Sequence, residues 1–289
     1  MQYDELTIEQ VSDFQRHGYL VVENAVTPAL LKKLQSQFDQ WVEQSRLRLD
    51  SFGETINGKP RFDLEPGHQP GKPALRRINA PIEISAEYYE AMSSSRVPGM
   101  IADLIGPDIK FHHSKINCKL PGGHTEVKWH QDFPFTPHTN DDLVTALLMV
   151  DEVTEENGPL QVIPGSHQGK LHGLWHGGVF TGAVSEGVTR DCVSKSVSCT
   201  GPAGAVCLMH TRLLHGSRAN LSQRPRTLFI CVYSADDALP CAENPMPSKH
   251  EGLLVAGQSS GRVRCISYDL EIPQKLEFAS FFHQQAKPR

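Results

Sequence analysis

Nowhere in the 289 residues does an apolar run approach the ~18 residues that a membrane helix needs. No Lys/Arg block occurs either. Twenty-eight Lys plus Arg stand against 33 Asp plus Glu, a net charge of −5, so the chain carries no electrostatic footprint for nucleic acid. There is no CxxC pair. The seven cysteines (Cys118, Cys192, Cys199, Cys207, Cys231, Cys241 and Cys265) are odd in number and widely spaced. That argues against a disulfide scaffold or a zinc knuckle and for reduced thiols in a cytoplasmic protein. The opening MQYDELTIEQ lacks the basic-then-apolar order of a signal peptide. The closing Lys287-Pro288-Arg289 is neither a peroxisomal nor a prenylation signal. Internal repeats, low-complexity tracts and composition breaks are missing as well. The chain therefore reads as one domain spanning 1–289, a length that barrels often reach.

What is present is globular. Hydrophobic residues make up 39% and charged residues 21%, enough to form a core and too apolar for general disorder. Thr7 can cap a helix that runs to His17 and stops at Gly18. A short strand follows over 19–24. Thr27-Pro28 opens a second helix whose Leu30, Leu31, Leu34, Phe38, Trp41 and Val42 form one apolar stripe. Residues 49–80 are polar and hold several Pro and Gly, which reads as a long loop. A weaker helix over 85–105 is interrupted near Pro98-Gly99.

After Pro107 the texture changes. Short apolar or alternating runs at 109–120, 126–132, 143–150, 159–163, 205–210 and 226–234 are separated by Gly, Pro and Asn. Many short strands with turn signals between them predict a β-sandwich or barrel. The expected plan is a helical buttress and loop region over 1–106, a β core over 107–235 and a C-terminal extension over 236–289.

The strongest chemical signal is Trp129-His130-Gln131-Asp132. On a strand, residues two apart share a face, so His130 and Asp132 would project together into the barrel. An imidazole beside a carboxylate is two-thirds of the 2-His-1-carboxylate triad that holds non-heme iron. The third ligand should come from a distant strand, and His215 in Leu213-Leu214-His215-Gly216-Ser217 is the choice. His210 is a rival, because it too follows a strand. His112 and His113 are weaker, since adjacent strand residues point to opposite faces. Arg226 lies eleven residues after His215, at the start of a strand face it shares with Leu228, Ile230 and Val232. A buried guanidinium needs an anion, and a carboxylate held bidentately is the natural partner. Ser217 can donate a second hydrogen bond to it. Asn157-Gly158-Pro159 and Pro164-Gly165-Ser166-His167 read as turn chemistry, with His167 not a metal ligand.

These motifs, with Glu156-Asn157-Gly158-Pro159-Leu160, Ile163-Pro164-Gly165-Ser166-His167 and His215-Gly216-Ser217…Asn220…Ser222…Arg226 in this order and spacing, resemble the phytanoyl-CoA dioxygenase family. The resemblance spans roughly residues 10–235. It implies a mainly β protein with flanking helices. The core would be a double-stranded β-helix (jelly roll, cupin-like). The implied enzyme is an Fe(II)/2-oxoglutarate-dependent dioxygenase that uses O2, releases succinate and CO2, and hydroxylates or otherwise oxidises a small-molecule metabolite. By that resemblance His130, Asp132 and His215 bind iron, and Arg226 with Ser217 holds the distal carboxylate of 2-oxoglutarate. Asn117, thirteen residues before His130, resembles an Asn that contacts 2-oxoglutarate in some members. Lys115, Lys119 and Thr145 are further candidates on barrel strands. In related halogenases a small residue replaces the carboxylate, so Asp132 favours hydroxylation.

Substrate contacts are expected from Phe133, Phe135 and His138, which follow the first two ligands, and from Arg77, which together with Arg76 could bind an anionic substrate from the loop side. Trp129 could join them only if its strand twists. The segments 49–80, 168–200 and 235–262 are irregular, and loops on a rigid scaffold usually carry specificity. Two other readings use the same ligands: a zinc enzyme that activates water for hydrolysis, and a non-catalytic metal or 2-oxoglutarate sensor. A hydrolase needs no carboxylate clamp at Arg226.

Overall fold

The computed structural model describes residues 4–122, 125–274 and 285. The expectations for Met1–Tyr3, for most of the stretch after Gln274 and for Lys287-Pro288-Arg289 lie outside the described residues.

Helix α1 (Ile8–His17) begins at Thr7, whose side chain accepts from the Gln10 amide while Gln10 accepts from the Thr7 amide. This reciprocal bonding satisfies two orphan donors. Gly18 ends the helix at φ 78°. A Cβ there would also fall 2.4 Å from His167 Nδ1, so glycine is required twice over. After β1 (Tyr19–Val22), helix α2 (Pro28–Ser45) is capped by Thr27 and buries Leu30, Leu34, Phe38 and Trp41.

Residues 49–80 are not the long loop that their polarity suggests. They form β2 (Phe52–Glu54), β3 (Pro60–Leu64) and β4 (Leu75–Asn79). Charged residues hide the pattern, because Arg61, Asp63, Arg76 and Arg77 are all buried. Two of the guanidiniums meet carboxylates in place: Arg61 pairs with Glu83 at 2.7 Å and Arg76 with Asp63 at 2.8 Å. Helices α3 (Ala86–Ser93) and α4 (Val97–Ile105) replace the single interrupted helix. The break falls at Ser94–Arg96, and Pro98 sits in the first turn of α4, where its missing N–H costs nothing.

The core strands follow the predicted order. They are β5 (Ile109–Lys119), β6 (Val127–His130), β7 (Leu143–Met149), β8 (Leu160–Val162), β9 (Trp175–His176), β10 (Val179–Phe180) and, after α5 (Glu186–Lys195), β11 (Val197–Cys199). The last four are β12 (Val206–His210), β13 (His215–Ser217), β14 (Arg226–Ala235) and β15 (Leu254–Ala256). A large antiparallel sheet runs β1-β12-β7-β14-β5-β4-β3-β2, with β15 added to β5. A smaller sheet runs β11-β8-β13-β6. This is the double-stranded β-helix, a jelly-roll core.

Period-2 alternation divides the large sheet into two faces. Val144, Ala146 and Leu148 on β7, with Phe229, Cys231 and Tyr233 on β14, pack against the helical layer of Leu34, Phe38, Tyr88 and Met100. Each Val, Leu, Phe or Met among them contributes roughly 1.5–3 kcal/mol on full burial. The opposite positions, Leu147, Met149, Leu228 and Ile230, face inward with Leu160 and Val162 of the smaller sheet. The polar inward positions near the middle of these strands leave the interior open for a site.

Candidate active site

The pairing of β13 with β6 places His215 directly opposite His130. Their rings lie 4.1 Å apart between centroids. Asp132 joins them by a different route from the expected one. Strand β6 ends at His130, and Asp132 (φ −73°, ψ −34°) starts a single 3-10 turn over Phe133–Phe135. The turn, not strand alternation, swings the carboxylate inward. Asp132 Oδ1 stands 3.5 Å from His130 Nε2 and 3.6 Å from His215 Nε2. One ligand atom from each residue falls within 4.8 Å of the others.

The remaining atoms of the three residues prepare these donors. His130 Nδ1 lies 2.8 Å from the Lys128 carbonyl, and His215 Nδ1 lies 3.0 Å from the Leu213 carbonyl. A carbonyl only accepts, so each Nδ1 carries the proton and each Nε2 presents a lone pair to the centre. Burial and the neighbouring His130 push His215 down to about 4, so it is neutral at pH 7, as a metal ligand must be. Burial alone would raise the Asp132 carboxyl. His215, the His130 hydrogen bond and Lys115 outweigh it and hold the group well below the usual carboxylate range. Thr145 Oγ1 donates to Asp132 Oδ2 at 2.9 Å and fixes the carboxylate plane. Two inward-facing imidazole Nε2 atoms and one ionised carboxylate on one face suit a ferrous ion with open positions. The residues present fit iron.

Two small cavities, of about 50 Å³ and 40 Å³, flank this cluster. The first lies inside the barrel between the sheets. Asn117, Thr145, His215, Ser217, Arg226, Leu228 and Ile230 line it. Arg226 is buried. Its Nε donates to the Gly158 carbonyl at 3.1 Å and its Nη1 to the Asn117 carbonyl at 3.4 Å. Among the described residues no carboxylate lies within ion-pair distance of it. Burial pushes Arg226 down to about 10, which leaves it cationic at neutral pH. A buried guanidinium fastened on one side by carbonyls and open to a polar cavity fits a dicarboxylate such as 2-oxoglutarate.

Lys119, one of the further candidates on β5, has a defined place. Its Nζ donates to Ser217 Oγ at 2.7 Å and to the Arg218 carbonyl. With that N–H donated to it, the Ser217 oxygen accepts and its own proton remains to donate. Gly158 was read as turn chemistry and is also a support. It sits at φ +80°, and a Cβ there would lie 2.7 Å from the Arg218 carbonyl and 3.0 Å from Lys119 Cδ. Its φ requirement was visible in Asn-Gly-Pro, but its contact with Arg226 was not.

The second cavity opens on the other side of the cluster. Arg77, His113, Lys115, His130, Asp132 and Phe135 line it, with Thr136, Val232, Pro245 and Met246. Of the residues expected to meet substrate, Phe135 and Arg77 are here. Arg77 arrives from β4, opposite Asn117 of β5, and not from a loop. Phe133 and His138 are elsewhere. Phe133 is buried against Leu143, Val232 and Ala235. His138 bonds the Thr136 carbonyl through Nδ1 at 2.8 Å and packs on His112. The 3-10 turn carries Phe133 into the core, leaves Phe135 and Thr136 on the cavity, and the chain turns away from it by His138. Trp129 packs with Leu174, Val184 and Leu214 on the far side of β6. Thr136, Pro245 and Met246 went unnoticed in the sequence, because no local pattern marks a loop residue as cavity wall. His210 bonds the Arg212 amide through Nδ1 at 3.1 Å, and its ring packs on His167. Neither His210 nor His167 lines either cavity.

The sequence matches the phytanoyl-CoA dioxygenase (PhyH) family over residues 14–228. It is 31% identical over 274 residues to a probable alpha-ketoglutarate-dependent hypophosphite dioxygenase of Stutzerimonas stutzeri, covering 93% of this chain and 92% of that one. It is 24% identical to an ectoine dioxygenase of Stutzerimonas stutzeri strain A1501, over 84% of this chain and 83% of the relative. The crystal structure of EctD from S. alaskensis with bound Fe superposes with a TM-score of 0.66 at 22% identity, covering 94% of this chain and 90% of that chain, and shares the fold. Among the described residues no helix is long and apolar enough to cross a membrane. The chain belongs to the phytanoyl-CoA dioxygenase family and is a 2-oxoglutarate-dependent non-heme iron dioxygenase.

Proposed function

We propose that the protein hydroxylates, or otherwise oxidises, a small-molecule metabolite held in the cavity beside Arg77 and Phe135. The observation that carries this reading is the cluster itself. His130, Asp132 and His215 converge with both imidazole Nε2 atoms turned inward, beside a buried Arg226 that no carboxylate of the described residues answers. His130, Asp132 and His215 would hold Fe(II). Arg226 and the Ser217 hydroxyl would hold the distal carboxylate of 2-oxoglutarate, with Asn117 and Thr145 in the same wall. When bound, iron and 2-oxoglutarate supply the activation of O2 that ends in succinate, CO2 and an oxidised substrate.

The chain's own residues do the positioning. Thr145 holds Asp132, and Lys119 orients Ser217. The carbonyls of Lys128 and Leu213 hold the imidazole tautomers. Gly158 and Asn117 present the guanidinium. Phe135, whose ring meets the His130 ring edge-on at 5.7 Å, shields the substrate side from water. Relatives named for hypophosphite, ectoine and L-proline support a small substrate. Seven free cysteines, five of them buried, support a reducing, cytoplasmic setting.

An anaerobic absorption spectrum tests the reading. Fe(II) and 2-oxoglutarate together should produce a visible charge-transfer band that is lost in His130→Ala and weakened in Arg226→Ala. A wild-type protein that gives no band refutes it.

A further inference from the structure

His130, Asp132 and His215 are not held alike. His130 and His215 face each other across paired strands, so the smaller sheet fixes both. Asp132 lies past the end of β6 and opens the turn Phe133–Phe135. A 3-10 turn this short makes few hydrogen bonds of its own, so its orientation depends on what it packs against. On the inner side Thr145 donates to the Asp132 carboxylate, and the Phe133 amide donates to the Thr211 carbonyl at 2.9 Å. The Phe133 side chain is a further hold. It is fully buried against Leu143 of β7 and Val232 and Ala235 of β14.

The C-terminal extension closes the outside of that socket. Tyr268 and Leu270 pack against the same cluster, and the Tyr268 ring meets the Phe133 ring edge-on at 5.1 Å between centroids. The extension arrives as a tethered strap. Arg264 pairs with Asp142 and, at 3.0 Å, with Asp237. The Asn140 side-chain amide donates to the Arg264 carbonyl at 3.1 Å, and the Ile266 amide donates to the Thr139 carbonyl at 2.9 Å. The Tyr268 hydroxyl donates to the His138 carbonyl. The strap thus runs antiparallel to residues 138–142 and reaches the turn at Tyr268. Beyond it, the Trp175 indole donates to the Ile272 carbonyl at 3.1 Å, so Tyr268 is tethered on both sides.

Covering a core would not by itself make the strap part of a site. Tyr268 does, because its ring touches the residue next in sequence to a ligand. One planar peptide unit joins Asp132 to Phe133, which leaves two soft dihedrals to absorb any shift between them. A displacement of Phe133 therefore turns Asp132 away from the two imidazoles. All of these strap residues lie beyond residue 228, where the family match ends.

We propose that the C-terminal strap belongs to the iron site, with Tyr268 a positioning residue that holds Asp132 in place through Phe133. The proposal rests on the reading above that His130, Asp132 and His215 hold Fe(II).

The test is an anaerobic Fe(II) titration of the intact protein with 2-oxoglutarate present, followed by the charge-transfer band. A thermal unfolding curve without metal is recorded beside it. Tyr268→Ala should raise the Fe(II) Kd by about threefold to tenfold, the worth of an aromatic pair expressed at the ligand. Tyr268→Phe keeps the ring and should stay within about twofold of the unaltered protein. Ser260→Ala removes a tether to Asp236 at the far end of the strap and should leave the Fe(II) Kd unchanged. A contact that serves stability alone would lower the unfolding temperature of Tyr268→Ala and leave its Fe(II) Kd where it was, and that result overturns the proposal. An equal loss in Tyr268→Phe or in Ser260→Ala overturns it too, because the ring is then not the cause. If Tyr268→Ala does not fold, amide hydrogen exchange on the unaltered protein decides. Coupling is reciprocal, so Fe(II) should slow exchange across 264–270. Equal exchange with and without Fe(II) overturns the proposal. A normal band with an unmoved Tyr268→Ala overturns this inference alone. A missing band in the unaltered protein overturns the proposed function and this inference with it.

Discussion

The two cavities on either side of His130, Asp132 and His215 are built from different materials. The inner one is made almost wholly of strand residues at alternate positions: Asn117 on β5, Thr145 and Leu147 on β7, Ser217 on β13, and Arg226, Leu228 and Ile230 on β14. The outer one takes Arg77, His113 and Lys115 from strands, but Phe135 and Thr136 come from the 3-10 turn and its end, and Pro245 and Met246 from a loop. Strands tied into a sheet hold a side chain more closely than a loop does. A cosubstrate that must be placed the same way in every turnover suits the first construction. A substrate that differs from enzyme to enzyme suits the second, in which loop residues can change without disturbing the sheets.

If the comparison is right, substitutions should sort by cavity, and the shared centre should show the largest effect. His215→Ala should abolish the charge-transfer band. Its loss of iron affinity should exceed the ~10–100-fold cost of an outer-sphere partner, because a ligand itself is removed. Iron titration by absorbance checks this. Arg226→Met comes next. Losing a buried charge-assisted contact costs about 1.5–3 kcal/mol, or ~10–100-fold in the 2-oxoglutarate Kd. Titrating 2-oxoglutarate into the anaerobic Fe(II) protein reads it. Equal damage to substrate binding would break the separation of the cavities.

Thr145→Val should lower iron affinity by about tenfold, the lower end for a residue that holds a ligand in place. A wild-type iron titration curve from this variant would show that Asp132 needs no such support. Lys119→Met leaves Ser217 Oγ without its donor and frees it to turn. The 2-oxoglutarate Kd should rise by roughly fivefold, for the ~1 kcal/mol of a typical hydrogen bond. The smallest effect on cosubstrate belongs to Phe135→Ala. The 2-oxoglutarate Kd should hold within about twofold, while succinate formation without substrate rises as water reaches the centre. A large loss of 2-oxoglutarate affinity in that variant would mean that the two cavities are one.

The same contrast explains what could be read from residue order. The inner cavity was legible because period-2 alternation does not depend on distant partners. Asn117 and Lys115 share one face of β5, and Ile116 and Cys118 pack on the helical side. The β4 contribution was hidden. Arg76, Arg77, Arg61 and Asp63 read as a solvated loop, yet they are buried, and Arg61 and Arg76 find carboxylates at 2.7 and 2.8 Å. Pairing across the sheet, which no local pattern records, makes charged residues acceptable inside. Asp132 shows the opposite case. Its carboxylate does meet the two imidazoles, but the route is a turn, since β6 stops at His130. Phe133 and His138 were misplaced for the same reason. Nearness to a ligand in the chain says little about which way a turn sends the next side chain.

The order of residues alone determined the helix caps at Thr7 and Thr27, the inward faces of β5, β7 and β14, and the chemical identity of the three donors and of Arg226. All of these follow from local geometry or from what a side chain can donate, accept or ionise. Tertiary structure alone decided that His215 stands opposite His130 and that Lys119 directs the Ser217 hydroxyl. It also brought Arg77 from β4 to the outer cavity beside Lys115. These are pairings between segments far apart in the chain. Their energy comes from strand register and shared burial, which exist only once the sheets have closed.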